Sequence, residues 1–477
     1  MHAPTANELL QEFRAALPKG TALGRDLIGK NAVVPGPFGP KKMVYADYVA
    51  SGRAVRQVEQ FITETVLPYY ANSHTEASYC GGFMTRLRNA ARATIATHCG
   101  ADDRHAVIFA GSGATAGINR LTALLGADHG RVKVIIGPYE HHSNILPWRE
   151  SGAEVVELAE AATGGPDLDA LSASLADASA YDRVICAMST ASNVTGTLTD
   201  IAEVTRRVKA AGARMVWDYA GGAPYLPITM TPTADAEVDA IIFSPHKFIG
   251  GPGASGILIV RRDAVISTRP TWVGGGTVRF VSARAHDYSD RLEHREEAGT
   301  PNVLGDIRAA LAVIVKEEIG TDFILNRSRE LARRAIAAWR DVPGIALLGN
   351  ADADRLPILS FRVRDGNSGF VHQQFATKLL SDLYGIQARG GCACAGPYVL
   401  RLLGIDADTA AHLRDEILSG NEIEKPGFVR LNLSALMSDD EVDFVLNSVR
   451  VLSQEAPGFA DAYSVDTSRA IFSATAA

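Results

Sequence analysis

Ala240-Ile241-Ile242-Phe243-Ser244-Pro245-His246-Lys247-Phe248-Ile249-Gly250-Gly251-Pro252-Gly253 is the stretch from which the rest of the chain can be read. The apolar run Ala240–Phe243, bounded by Ser-Pro, reads as a short strand buried on both faces. A histidine, a lysine and a glycine-rich turn follow it at once, so Lys247 stands at the C-terminal end of that strand, where open α/β sheets bind ligands. Desolvation at such a place lowers an amine's pKa, and only the unprotonated amine condenses with a carbonyl. The plain alternative for the tetrapeptide alone is a loop lysine beside a glycine turn.

Similar runs lie on either side: Ala106–Ala110, Val132–Ile136, Val184–Met188, Met215–Asp218 and Ile257–Val260, most of them separated by room for a helix. Continuous apolar strands imply a mainly parallel sheet with helices on both faces. The expected fold class is therefore α/β, with this sheet in a large domain and a smaller α+β domain after it. The smaller domain is read from helices over 306–318 and 328–339, a strand over 358–363, a helix over 371–384, a cysteine-containing loop over 389–397, a strand over 428–433 and a helix over 439–452. The expected spans are an N-terminal arm, 1–43, that completes the smaller lobe; a large domain, 44–305; a small domain, 306–456; and a loose tail, 457–477, rich in Ala, Ser and Thr.

Composition narrows the function classes. The 477 residues carry 47 Lys plus Arg against 54 Asp plus Glu, a net charge of −7, so no excess of positive charge recommends nucleic acid as a partner. Five cysteines at irregular spacing do not make a disulfide framework and suit a reducing setting. The first twenty residues are amphipathic and interrupted by Glu8, Glu12 and Arg14, unlike a secretory signal, and no run approaches the length of a membrane span. A cytoplasmic protein without membrane contact is the expectation.

Three further features belong to the same sheet edge. Gly111-Ser112-Gly113-Ala114-Thr115 joins a strand to a helix, and small residues there let backbone N–H groups and the Thr115 hydroxyl approach a phosphate. An ordinary glycine turn is the alternative. Asp218 ends the strand Met215–Asp218, where a carboxylate can pair with a protonated ring nitrogen or simply cap the next turn. Glu140-His141-His142-Ser143-Asn144 places an imidazole where it can stack on a planar ring. Metal is set aside, because the histidines are adjacent and no second His/Cys cluster has ligand spacing. A Schiff-base lysine, a phosphate cradle, an acid for a pyridinium and an imidazole lid together describe a site for pyridoxal 5'-phosphate.

The chain resembles the fold-type I pyridoxal phosphate enzymes of the class V aminotransferase group, in the cysteine desulfurase and selenocysteine lyase branch. The resemblance runs from Tyr45-Ala46-Asp47-Tyr48 through GSGATAGIN (111–119), EHHSNILPW (140–148), TASNVTGT (190–197), WDYAGGAPYLP (217–227), the Lys247 stretch, GGGT (274–277), EAGTPNVLG (297–305) and RGGCACAGP (389–397) to VRLNLSALMSDDEVDFVL (429–446). It implies that Lys247 is the Schiff-base lysine, Asp218 the pyridinium partner and His141 the stacking imidazole. Asn193 would lie near the cofactor ring oxygen; Ala114, Thr115, Ser244 and His246 would bind the phosphate; and Thr277 would reach the phosphate of the other subunit of a homodimer. Arg389 matches the arginine that grips the substrate α-carboxylate, and Cys394 the nucleophilic cysteine. Two positions depart from the pattern: Gly221 stands where many relatives have a glutamine, and Cys392-Ala393 where many in the branch have two histidines.

The implied reaction converts L-cysteine or a close analogue to alanine, with the sulfur left as a persulfide on Cys394 and passed to an acceptor protein or thiol. Alternatives are another reaction of the class (aminotransferase, epimerase or C–S lyase) with Cys394 a bystander, or a non-catalytic sulfur-carrier or scaffold protein. If the loop is extended at Cys392 and Cys394, both thiols face one side. Cys80, Cys99 and Cys186 read as structural.

Overall fold

The computed structural model describes residues 4–73 and 75–475, and these form two compact units. The first comprises residues up to Ile28 with Ser51–Thr190 and Thr199–Thr321; the second comprises Gly29–Ala50, Ala191–Leu198 and residues from Asp322 onward.

The first unit is built on seven strands, β1 (His105–Gly111), β2 (Val132–Ile136), β3 (Glu154–Glu157), β4 (Arg183–Ser189), β5 (Arg214–Asp218), β6 (Ala240–Phe243) and β7 (Gly256–Arg261), in the order β1-β7-β6-β5-β4-β2-β3. All neighbours are parallel except β7, which runs antiparallel to both β1 and β6. Alternation along β1 explains why the strands read as unbroken apolar runs. Val107 and Phe109 enter the core on one face, Ala106, Ile108 and Ala110 the core on the other, so neither face can be polar. The strand missed in the sequence, β3, sits at the sheet edge, and its Glu-Val-Val-Glu pattern is only partly buried.

Four helices of this unit matter below: α1 (Ala6–Ala16), α2 (Tyr79–His98), α3 (Gly113–Leu124) and α4 (Val303–Ile319). A capping box of Thr5 and Glu8 starts α1, which buries Leu9, Leu10 and Phe13. Helix α4 places Ala309, Ala310, Ala312 and Val313 in the same core as Ala91 and Ile95 of α2. Residues 306–321, expected in the small domain, therefore belong to the first unit.

The second unit has α5 (Thr321–Trp339), α6 (Gln373–Tyr384) and α7 (Asp439–Glu455) with strands β8 (Ile345–Leu347), β9 (Ile358–Val363), β10 (Arg389–Gly391) and β11 (Phe428–Asn432), in the antiparallel order β8-β9-β11-β10. Val44–Tyr45 pairs in parallel with Ile386–Gln387. The expected arm thus divides at residue 28, and only its later part joins this unit. Ala191–Leu198 joins it too, since Leu198 N–H donates to Asp354 O (2.9 Å) and Leu356 N–H to Gly196 O (2.8 Å). The expected loose tail is ordered over its described residues. It forms the hairpin β12 (Tyr463–Asp466) and β13 (Ile471–Ala474), with the Phe472 ring stacked on Phe375 and Tyr463 Oη donating to Asp382 (2.7 Å); the two aromatics outweigh the Ala/Ser/Thr composition around them. Residues 1–3, 74, 476 and 477 lie outside the described residues. Among the described residues no helix is long and apolar enough to cross a membrane.

Candidate active site

Strand β6 runs through Phe243 into Ser244 and a single 3-10 turn, Pro245–Lys247. Backbone packed on backbone fixes this turn. Gly52 N–H donates to His246 O (2.9 Å), and a Cβ on Gly52 would lie 1.7 Å from Phe248 O, one on Gly251 1.8 Å from Pro245 O. Only glycine permits such approach. Asp218, at the end of β5, is 3% exposed, and one carboxylate oxygen accepts the Ala220 N–H at 2.7 Å. Burial raises its carboxyl pKa, opposed by the Ala220 N–H and the positive charge of Lys247. Burial, and then the Lys247 charge, lowers the imidazole of His246 to about 4.

The turn from β1 into α3 abuts the same loop. Ala114 N–H donates to Ser244 Oγ (2.9 Å). Gly113 has φ +65°, and a Cβ there would stand 3.0 Å from both Ser244 Oγ and His246 Cε1. Beside it Thr115 Oγ1 shares a hydrogen bond with Ser143 Oγ (2.7 Å). Ser143 Oγ in turn lies 3.1 Å from His141 Nδ1, which also accepts the Ser143 N–H. Lys247, Asp218, Ser244, His246, Ala114, Thr115 and His141 thus all belong to the strand-to-helix edge of one unit.

Ser143 and Glu140 were not singled out in the sequence. Glu140 is a buried carboxyl accepting Asn144 Nδ2–H (2.5 Å), Ser189 N–H (2.8 Å) and Ser189 Oγ–H (2.7 Å), while Asn144 Oδ1 accepts the indole N–H of Trp148 (2.9 Å). Burial pushes its pKa up to about 7, against its three donors, and the charge of Asp218 pushes it the same way. An acid directly after an apolar strand and a Pro-Tyr turn was the available signal.

Thr277 stands apart. It is fully buried in its own loop, its hydroxyl donating to Gly274 O (2.7 Å) and its carbonyl accepting Ser289 N–H (2.8 Å). Within the single chain its side chain thus turns inward.

In the second unit Arg389 begins β10. Its Nε donates to Asp47 Oδ2 (3.0 Å), and the other oxygen of Asp47 accepts from buried Arg430 (3.1 Å). The Arg389 side chain remains 55% exposed. Asn193 belongs to this unit, at the tip of the Ala191–Leu198 segment. Its Nδ2 donates to Ala393 O (2.8 Å), its carbonyl accepts from Arg430 (3.1 Å), and its Oδ1 is buried without a protein partner. Asn193 therefore holds the cysteine loop, a contact the expected role beside a ring oxygen did not include. Cys394 is exposed and Cys392 half-buried, whereas Cys99 and Cys186 are buried, and burial raises the pKa of both of these last thiols. The second unit also has a cavity of about 720 Å³ between Arg329–Asp341 and Ala351–Arg355, lined by none of the candidate residues.

Comparison with known proteins places this arrangement. The aminotransferase class-V family matches residues 44–445. A probable cysteine desulfurase of Streptomyces coelicolor is 29% identical over 382 residues, 78% of this chain and 87% of the relative. The cysteine desulfurase of Pectobacterium atrosepticum is 30% identical over 367 residues, 74% and 84% of the two chains. Among solved structures, the apo cysteine desulfurase of Thermococcus onnurineus NA1 has a TM-score of 0.74 at 24% identity, covering 92% of this chain and 99% of its own. The cysteine desulfurase CsdA of Escherichia coli has a TM-score of 0.68 at 25% identity, covering 93% and 98%. The chain belongs to the aminotransferase class-V family of pyridoxal phosphate enzymes, with the fold-type I architecture. Its place within that family is the cysteine desulfurase branch.

Proposed function

We propose that the enzyme converts L-cysteine, or a close analogue, to alanine and leaves the sulfur as a persulfide on Cys394. The observation that carries this reading over other reactions of the family is the exposed Cys394, held by Asn193 in the loop that follows Arg389.

The residues of the first unit fit pyridoxal 5'-phosphate. At Gly113 a Cβ would fill a cradle walled by Ser244 and His246, at the start of α3, whose Ser112 N-cap makes no side-chain hydrogen bond and whose N-terminal end would favour an anion. Asp218 is a desolvated carboxylate that accepts the Ala220 backbone N–H, an environment that a protonated ring nitrogen would neutralise. Lys247 would hold the cofactor aldehyde and His141 would cover its ring. When bound, the group supplies an electron sink for negative charge at the substrate Cα. Arg389 binds the substrate carboxylate with a planar fork of donors, and Lys247 Nζ moves the Cα proton. The Cys394 thiolate attacks the substrate sulfur. The S–S bond forms as the C–S bond breaks, and its electrons pass to the substrate carbon, which leaves as alanine once protonated.

The same reading includes a homodimer, a cytoplasmic setting and a protein or thiol acceptor for the sulfur. Support for a second copy comes from Trp272, Val273, Phe280 and Val281, all exposed on the segment around Thr277. The test is product analysis with L-cysteine and added pyridoxal phosphate. Alanine and enzyme-bound sulfane sulfur in equal amounts are expected, with turnover abolished in Lys247→Ala. Pyruvate with ammonia, or full activity in Cys394→Ser, would instead make Cys394 a bystander.

A further inference from the structure

Cys392 and Cys394 do not lie on an extended segment. Ala395 N–H donates to Cys392 O (3.2 Å), closing a four-residue turn, and its two central residues, Ala393 and Cys394, have φ of +52° and +54°. Those angles define a type I′ turn, which ordinarily takes Asn-Gly because L side chains crowd the left-handed region. Here alanine and cysteine both occupy it. Strain of this kind persists only where the surroundings impose it, and they do so from two sides. Asn193 Nδ2 donates to Ala393 O (2.8 Å) while Arg430 grips the Asn193 carbonyl (3.1 Å). On the other side Gly391 enters the turn at φ +127°, so close to Gly427 that a Cβ on Gly427 would lie 2.9 Å from Gly391 backbone atoms.

The consequence is the spacing of the thiols. A left-handed residue between two cysteines draws their Cα atoms to about 5.5 Å, within the range a disulfide spans, whereas an extended segment holds them at or beyond its upper limit. The turn therefore gathers two thiols, one exposed and one half-buried, at a conformational cost that presenting a single cysteine would not require.

We propose that Cys392 is a resolving thiol that discharges the persulfide of Cys394 as sulfide. The Cys392 thiolate attacks Cys394 Sγ. A Cys392–Cys394 bond forms, the bond from Cys394 to the sulfane sulfur breaks, and that sulfur departs with the electron pair as hydrosulfide, a better leaving group than an alkyl thiolate. Two equivalents of a small thiol then reduce the disulfide, becoming oxidised to their own disulfide, and both cysteines return to the thiol form. The inference rests on the desulfurase reading above and adds to it a product, free sulfide, and a reductant class.

The experiment is one turnover of the pyridoxal phosphate-loaded enzyme with L-cysteine in the absence of reductant, followed by alkylation and mass spectrometry, with alanine and sulfide measured in parallel. The wild type should release sulfide in step with alanine, lose two hydrogens and yield a Cys392–Cys394 cross-linked peptide that resists alkylation. Cys392→Ser should retain one extra sulfur on Cys394 and release sulfide about tenfold more slowly or less. Alanine formed with the sulfur still on Cys394 of the wild type, and no cross-link, overturns the resolving role while leaving the desulfurase reading intact. Absence of alanine from the wild type overturns both. The wild-type cross-link decides the matter even where the serine variant does not fold.

Discussion

Asp47 serves two arginines with one carboxylate, and they differ in burial: Arg430 is buried and Arg389 half-exposed. Removing the acid therefore has two separable effects. Asp47→Ala should destabilise the fold by about 3 kcal/mol, because Arg430 loses a buried counter-charge; urea unfolding measures this. Arg389→Lys should leave that stability unchanged and raise the KM for cysteine about tenfold with a smaller change in kcat, since an ammonium cannot make two parallel bonds to a carboxylate. Equal KM in the two proteins would remove Arg389 from substrate binding. The placement of Asp218 at the end of an apolar strand, and of Lys247 in the short turn just after one, was legible in the sequence because it is a local pattern. Asp47, Glu140 and Ser143 were not, because their partners lie at Arg389 and Arg430, at Ser189, and at Thr115, which nothing local announces.

Between β1 and α3, and again between α3 and β6, glycine decides how closely elements approach. At Gly113 the backbone is left-handed and the space for a Cβ is bounded by Ser244 and His246; at Gly117 it is bounded by Ile242 Cγ2 at 2.8 Å. Gly113→Ala should cost about 1–2 kcal/mol of stability from its φ alone and also weaken pyridoxal phosphate binding, read by fluorescence titration. Gly117→Ala should destabilise through the helix–sheet contact with little change in that affinity. A Gly113→Ala enzyme that binds the cofactor as the wild type does would move the phosphate elsewhere. Strands buried on both faces were legible as elements, since an unbroken apolar run has few other readings. The antiparallel direction of β7 was not, because direction depends on the connection and leaves no trace in a strand's composition.

Across the whole molecule, buried ionisable groups set opposing pH dependences. Glu140 has its pKa raised to about 7, chiefly by burial, so between the ordinary glutamate range and about 7 the folded state holds more protons than the unfolded; its contribution to stability is complete at low pH and is lost as pH rises through that window. Burial lowers Lys316 to about 7, so its contribution is present above the ordinary lysine pKa and is lost as pH falls towards 7. Glu140→Gln should remove the first of these. Relative to the wild type its unfolding free energy should climb from pH 5 to pH 7 and level off above, as followed by denaturant titration at several pH values; a constant difference would mean that Glu140 keeps its charge when buried. The threading of the chain has a different consequence, for synthesis. Gly29–Ala50 leaves the ribosome early, yet its β partner Ile386–Gln387 and its neighbours in the second unit come only after the first unit's last helix. The first unit can close around its seven strands while those residues wait, and the arginine grip on Asp47 is among the last contacts to be made. A ribosome stalled after residue 321 would therefore display the seven-stranded sheet with Lys247 in place while Asp47 still lacked both of its arginine partners.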